Sequence, residues 1–358
     1  MNSPRVLWLS PWVRAAARVQ AEGLRRRGVD VLLVTSEAHP EKADAPRDYE
    51  LVLDPRLRAA ASWPATLRAL RRIREYRADI VIAEMVADPR WIVLAGRVPR
   101  VQLLHDDRPH GPEEYGRAHQ RFVFDRWNAR SAATVVFSDY VASAVATRRD
   151  VGGSVHAVPL CSDLDAALVP PFVGPEGRRD FVMIGRLNQY KNFDVVLEAW
   201  QRHVAGAGWR GDDLVIIGDG SAMDRSLPEH TRWRRGGYRY SDVVPILAAA
   251  KGSVVYHRRA SQSGVQVLSM QLGVTPIASV AGGLPEYQPA GFPPGDVDDV
   301  GVLAAAFDKL ADPTTAAQQG AAAARHYANN YSVDCFAERF LNVLTEVLAV
   351  PTLTAESA

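Results

Sequence analysis

Short, unbroken apolar runs alternate along the chain with segments whose apolar positions recur every three or four residues. The run Val6-Leu7-Trp8-Leu9 gives way to a helical pattern over 15–27, which stops at Gly28, a residue suited to the position just past a helix end. Further runs stand at 29–35 (VDVLLVT), 80–83 (IVIA), 101–104 (VQLL) and 134–137 (TVVF). Strands that are apolar throughout, rather than alternating, and that are separated by helices predict a parallel sheet covered on both faces. The pattern then restarts. An apolar run at 181–184 (FVMI) ends in Gly185, an amphipathic stretch covers 193–204, and runs follow at 214–217 (LVII), 253–256 (SVVY) and 275–279 (TPIAS). The predicted fold class is α/β, with two Rossmann-like, doubly wound parallel-sheet domains.

The Pro- and Gly-rich stretch 169–177 (VPPFVGPEG) marks a linker. It divides an N-terminal domain over 1–168 from a C-terminal domain over 178–330. A last helix is predicted over 331–350, with Phe336, Phe340 and Leu344 at helical spacing. Residues 351–358 (PTLTAESA) read as a disordered tail.

Composition agrees and removes some alternatives. A chain of 358 residues suits two domains at about 150 residues each. Lys and Arg number 42 against 41 Asp and Glu, so a net charge of +1 gives no electrostatic case for nucleic acid as a partner. The two cysteines, Cys161 and Cys335, lack a CxxC spacing and suggest neither a disulfide framework nor a zinc site. The first apolar run is too short for a signal peptide, and no stretch reaches the ~20 apolar residues of a membrane span. These features point to the cytoplasm. The helical stretch 66–77 carries Arg68, Arg71, Arg72, Arg74 and Arg77. A solvated face is the favoured reading, and a weak peripheral contact with the inner face of a membrane is the other.

In open α/β sheets ligands gather at the carboxyl ends of the strands, so chemistry is sought just after each apolar run. Arg186 and Lys191 follow the strand that ends at Gly185, five residues apart; a guanidinium fork and a compact ammonium together suit a pyrophosphate. The alternative is a solvated loop with two surface cations. Gly218 and Gly220 end the next strand, where glycine permits close backbone approach. Ser261, Ser263, Gly264 and Val265 precede a helical stretch and offer backbone N–H groups to an anion. Glu286 closes another Gly-rich loop, and His105-Asp106 stands at a strand end in the first half. Asp106-Asp107 is assigned to loop structure or acceptor contact, and no metal site is expected.

Taken in this order, these segments resemble the retaining nucleotide-sugar glycosyltransferases of family 4, which have the GT-B fold, over most of the chain. The resemblance is carried by RRRGVDV (25–31), His105-Asp106, GRLNQYKNFDVVLEAW (185–200), VIIGDGS (215–221) and GVTPIASVAGGLPE (273–286). It implies two domains facing across a cleft and a final helix that crosses back to the first domain. It implies that Arg186 and Lys191 hold the donor diphosphate and neutralise the leaving nucleotide without a metal, and that His105 meets the donor sugar near its hydroxymethyl group. Gly185, Gly218, Gly220, Ser261, Ser263, Gly264 and Val265 would line the donor, and Tyr238 falls where the family's backbone pairs with the base. The donor would be UDP- or GDP-linked, with no further cofactor, and the acceptor a glycan, a lipid or a small molecule.

The chain departs from the family at two places. The family's pair of glutamates falls on Ser261 and Ser269, or on Ala260 and Leu268 if Gly273 sets the register, and is absent either way. Glu286 is the candidate to replace them at the ribose. The Gly-Gly loop after the first strand is replaced by Ser10-Pro11-Trp12-Val13-Arg14, which makes Trp12 and Arg14, with Asp106, the acceptor-side candidates. The lost glutamates motivate a second reading, a non-catalytic GT-B partner subunit. A third is another GT-B enzyme, such as a sugar-nucleotide epimerase.

Overall fold

A computed structural model describes residues 3–36, 45–54, 63–86, 89–108, 118–220 and 226–349. Two compact units result, Met1–Pro159 with Val333–Ala358, and Leu160–Ser332.

The first unit holds β1 (Arg5–Ser10), α1 (Arg14–Arg26), β2 (Asp30–Ser36), β3 (Glu50–Leu53), α2 (Trp63–Tyr76), β4 (Ile80–Glu84), α3 (Pro89–Ala95), β5 (Arg100–Leu104), α4 (Ala118–Asn128), β6 (Ala133–Val136), α5 (Asp139–Val145) and β7 (Ser154–Ala157). Its seven strands run in the order β3-β2-β1-β4-β5-β6-β7, and each described pair is parallel. The central strands are buried along almost their whole length, as continuous apolar runs require when helices cover both faces. On α2 the arginines at 68, 71, 72 and 74 are exposed while Thr66, Ala69 and Ile73 are buried, and Arg71 pairs with Glu75 one turn on.

The second unit holds β8 (Phe181–Ile184), α6 (Phe193–Val204), β9 (Leu214–Ile217), β10 (Thr231–Arg234), α7 (Tyr240–Ala248), β11 (Gly252–Val255), α8 (Gly264–Gln271), β12 (Pro276–Ala278), α9 (Val300–Ala311) and α10 (Pro313–Asn330). Its five parallel strands are ordered β10-β9-β8-β11-β12. One face is filled by Phe181, Trp200 and Phe307, whose rings meet edge to face at 5.0–5.7 Å. The other is filled by Val182, Ile184, Leu247, Leu268 and Leu272.

The chain does not leave the first unit for good. After α10, helix α11 (Val333–Ala349) returns to it and lies along α1. Phe336, Phe340, Val343, Leu344 and Val347 form its buried stripe, and Phe340 stacks on Trp8 of β1 at 5.8 Å. Gly23 of α1 permits the approach: a Cβ there would stand 2.6 Å from Val333 Cγ2. Ion pairs from Arg26 to Asp334 and from Arg27 to Glu338 edge the contact, exposed enough to contribute little.

Three elements differ from the pattern-based expectation. The basic segment around Arg232-Trp233-Arg234, which has no apolar run, forms the edge strand β10; Arg232 bonds Asp180 and Asp213, so charged side chains sit on an open edge. The four-residue strands β3 and β7 are too short and too mixed to stand out as apolar runs. The boundary between units also precedes the Pro-rich stretch. Leu164 already packs in the second core, and the Leu160 amide donates to Tyr287 Oη. The tail 351–358 and Ser221 lie outside the described residues. Among those described, no helix is long and apolar enough to cross a membrane.

Replacing Phe340 with alanine removes a fully buried ring whose neighbours belong to α11 and to the central strand β1. A loss of about 3–5 kcal/mol in unfolding free energy is expected. A urea titration reads it, and a loss below about 1 kcal/mol would show that α11 contributes little to its unit.

Candidate active site

In the second unit the loop after β8 is built around a buried cation. Gly185 takes φ +111°, a backbone state open to glycine, and a Cβ there would fall 2.5 Å from Lys191 Nζ. The lysine turns back on the strand it follows. A short 3₁₀ turn, Gln189–Lys191, and Asn192 in the left-handed region (φ 56°) reverse the chain before α6 begins. The ammonium then donates to the Ile184 carbonyl at 2.7 Å, and the residue is only 6% exposed. Burial, reinforced by the neighbouring Arg186 charge, lowers its pKa from 10.5 to about 8. Lys191 is therefore not one of two solvated surface cations; Arg186 is the exposed member of the pair.

The loop after β9 packs onto this one, and the loop after β10 is bonded to it in turn. A Cβ on Gly218 (φ +127°) would stand 2.2 Å from the Gly185 carbonyl oxygen, and one on Gly220 would stand 2.3 Å from that of Leu187. The Leu187 amide donates to the Asp219 carbonyl at 2.8 Å, and the Gly236 amide donates to Asp219 Oδ1 at 2.7 Å. The glycines at 185, 218 and 220 are thus required first by loop-on-loop packing. The result is a backbone layer at the strand ends in which Gly185, Lys191, Gly218 and Gly220 stand together. Tyr238, further along the same edge, packs half-buried against the core.

Helix α8 opens with Ser263 as its N-cap, whose hydroxyl accepts from the Gln266 amide. The amides of Gly264 and Val265 precede the first intrahelical bond, and the Cβ position at Gly264 faces open space. Ser261 is buried. Ser269 Oγ donates to the Val265 carbonyl at 2.6 Å inside its own helix, and Leu268 is part of the core. Neither register of the absent glutamates therefore leaves an outward-facing acceptor at the second position. Gln266 bonds the Leu284 carbonyl and Gln288 Oε1, both at 3.0 Å, which fastens α8 to the turn Leu284–Tyr287. Glu286 is exposed on that turn, and its carbonyl accepts from Tyr331 Oη.

In the first unit His105 stands just past β5. Its Nε2 lies 2.8 Å from Glu84 Oε1, and its ring meets Phe137 edge-on at 4.8 Å. Glu84 ends β4, is fully buried, and accepts from Trp8 Nε1 at 3.2 Å through its second oxygen. Burial by itself would lower the His105 pKa; the Glu84 hydrogen bond and charge, with the Asp106 charge, outweigh it and raise it. Asp106 is partly buried beside it. Glu84 was missed by pattern reasoning, and its signal was an acid closing the otherwise apolar strand IVIAE.

The acceptor-side candidates part company. Trp12 is 46% exposed. Arg14 is buried, and its Nε donates to Glu50 Oε1 at 2.7 Å. Arg18 and Thr35 bond the same carboxylate. Burial raises the Glu50 pKa, but the bonds from Arg14, Arg18, Thr35 and the Arg47 amide prevail and bring it to about 2. Arg14 thus serves the interior of the unit and corrects the expectation of an acceptor contact. Among the described residues no group of three His, Cys, Asp or Glu side chains is placed to hold a metal ion.

Residues 178–312 match the family model described as Glycosyl transferases group 1, and residues 15–166 match that described as Glycosyltransferase Family 4. No curated protein matches the chain significantly. Solved structures similar to it include sucrose-phosphate synthase from Thermosynechococcus elongatus, with a TM-score of 0.71 at 15% identity over 96% of this chain and 99% of that one. A glycosyltransferase from Rickettsia africae gives a TM-score of 0.67 at 13% identity, over 98% and 100% of the two chains. HepE from Anabaena, solved with UDP-glucose, gives 0.63 at 14% identity, over 96% and 99%. At these identities the likeness establishes a shared two-unit α/β fold.

The depressed pKa of Lys191 has a signed consequence. The unfolded chain holds this proton up to about pH 10.5 and the folded chain only to about 8, so between those values unfolding takes up a proton and stability rises with pH. Below pH 8 the lysine costs on the order of 3 kcal/mol. Relative to the Lys191→Met variant, the wild type should gain about that amount between pH 8 and 10.5, read by denaturant titration across the window. A pH-independent difference would mean that the ammonium is not desolvated.

Proposed function

Since the chain belongs to the family 4 glycosyltransferases, with the GT-B fold, we propose that it moves a sugar from a UDP-linked donor to an acceptor hydroxyl, retaining the anomeric configuration and using no metal. The carrying observation is Lys191: a buried ammonium that, among the described residues, has one carbonyl as its hydrogen-bond acceptor, with a second cation, Arg186, beside it. A buried cation so incompletely answered is poised for an anion. A diphosphate supplies the missing charge, and its developing negative charge on departure is where the pair contributes most. The amides of Gly264 and Val265 give backbone donors to the same ligand. UDP is favoured over GDP because the HepE structures are solved with UDP-glucose or UDP. His105 takes the donor sugar, near its hydroxymethyl group. With no separate nucleophile assigned, a leaving phosphate oxygen assists deprotonation of the acceptor on the same face of the sugar.

One specific observation favours the second reading, a non-catalytic partner subunit: the inward-turned Ser269 hydroxyl and the core position of Leu268 leave the glutamate roles unfilled. Turnover decides between them. With UDP-sugars and a mass-spectrometric readout, donor consumption is expected to persist in EDTA and to fall in Lys191→Ala by on the order of 2–4 kcal/mol of transition-state stabilisation. A strict requirement for Mg²⁺ or Mn²⁺, or undiminished turnover in a folded Lys191→Ala protein, would refute the assignment.

The missing carboxylates also set an affinity. A serine makes at most one neutral bond where a carboxylate accepts both ribose hydroxyls, a difference of about 1–3 kcal/mol. Calorimetry with free UDP should give a Kd nearer ~1 mM than ~1 μM. Sub-micromolar binding that survives Glu286→Gln would mean that ribose recognition lies elsewhere than in α8 and the 284–287 turn.

A further inference from the structure

Glu84 is a buried carboxylate to which the family resemblance assigns no role. It closes β4 in the middle of the first sheet, with β1 on one side and β5 on the other. Removing an ionised carboxyl from water is costly unless each oxygen finds a donor. Here Oε1 faces His105 Nε2 at 2.8 Å, and Oε2 accepts from Trp8 Nε1 at 3.2 Å. The two neighbours differ in what they permit. An indole N–H only donates, so the oxygen beside Trp8 must be an acceptor. Imidazole adapts, and beside a carboxylate oxygen its Nε2 carries the proton. Nδ1 is then the nitrogen left for a further partner; among the described residues no hydrogen bond to it is found.

We infer that Glu84 is a positioning residue for His105: the Trp8–Glu84 pair holds the imidazole as its Nε2–H tautomer and presents Nδ1 as a hydrogen-bond acceptor to a sugar hydroxyl. The functional half rests on the proposed glycosyl transfer; the tautomer half does not. The arrangement is held from two sides. Phe137 packs edge-on against the imidazole, and Phe340 of α11 stacks on Trp8, so the indole cannot turn away without disturbing the returning helix. The charged groups acting on His105 among the described residues are Glu84, from the adjacent strand, and Asp106, from its own loop. Asp106 contributes charge alone, so the hydrogen bond that selects the tautomer is the one from Glu84.

A near-isosteric substitution exposes the mechanism. In Glu84→Gln the obligate donor Trp8 claims the amide oxygen, which turns the amide NH₂ toward His105. Nε2 must then accept, and the proton moves to Nδ1, changing the outward nitrogen from acceptor to donor. In Trp8→Phe/Glu84→Gln that constraint is gone, the amide can turn its oxygen to Nε2, and the original tautomer returns. Imidazole ¹⁵N shifts of His105 at a pH where the ring is neutral distinguish the two forms without any turnover. The expected series is Nε2–H in the wild type, Nδ1–H in Glu84→Gln, and Nε2–H again in the double variant. Donor kcat/KM should follow it, falling about 10–100-fold in the single variant and recovering in the double one.

An Nδ1–H wild type, or a Glu84→Gln protein that keeps Nε2–H, overturns the inference, and the wild-type spectrum alone suffices if a variant does not fold. A tautomer that switches while kcat/KM stays level overturns the positioning role. A chain that switches as expected yet consumes no nucleotide sugar refutes the proposed function and leaves the Glu84–His105 assignment standing.

Discussion

Charge taken out of water must be answered within reach of its own hydrogen bonds, and the second unit is arranged around one such charge that is only partly answered. Among the described residues Lys191 gives one bond, to Ile184, the last residue of the strand it follows. That choice leaves no room for a side chain at 185, so the loop turns through a glycine at positive φ. With Gly185 pressed under the ammonium, its carbonyl faces the following loop and leaves no room for a side chain at 218 either. The ends of β8 and β9 are thereby made of bare backbone stacked on bare backbone. Such a surface is rigid because glycine's freedom has already been used up in packing, and it is polar because peptide groups are all it offers. Both properties serve recognition of a compact anion better than a set of mobile side chains would.

The first unit handles its buried charges in the opposite way. Glu50 receives bonds from two guanidinium groups, a hydroxyl and an amide, and its pKa drops to about 2. Glu84 has both oxygens occupied. Neither is left short of donors, so neither invites a ligand; their roles are to hold other groups in place. For Glu84 the held group stands at the strand end, and the far side of its network is the aromatic stack of Trp8 on Phe340. Helix α11 is thus three side-chain contacts from Glu84's imidazole partner, through Trp8 and Glu84. The return of α11 is then part of the site's support as well as a means of burying apolar area.

What was legible in the sequence follows the same physics. Continuous apolar runs identify central strands because both faces are buried, and Phe181–Ile184 or Ile80–Glu84 stand out for that reason. Edge strands bury one face only, so Thr231–Arg234 reads as a charged loop until its neighbour β9 is known. Motif reading found Arg186, Lys191 and His105 because each follows a strong strand. It could not see that Lys191 is buried, since burial comes from the packing of loops distant in sequence. It also makes Arg14 an acceptor-side candidate, whereas the partner that draws it inward, Glu50, lies on β3 and is visible only in three dimensions. Glu84 had a local signal, an acid ending an apolar strand, but its meaning depends on Trp8 and His105, both remote in sequence.

The absent glutamates bear on how the donor is held. In α8 the hydroxyl of Ser269 is spent on the carbonyl of Val265, one turn back, a bond that a serine within a helix makes when nothing else is near. Leu268 fills the core beneath. The helix therefore has a sound interior and an N-terminus, capped by Ser263, whose first amides are available, but no carboxylate on the intervening turn. On the proposed function, recognition shifts from the ribose toward the diphosphate: amide donors and two cations bind any nucleoside diphosphate, while the contact that selects ribose is weakened. On that proposal specificity would rest on the sugar end of the donor, where the tautomer proposed for His105 would distinguish a hydroxyl that donates from a group that cannot. The precise setting of His105 by Glu84 and the loss of the ribose carboxylates are, on this view, two sides of one redistribution of donor recognition.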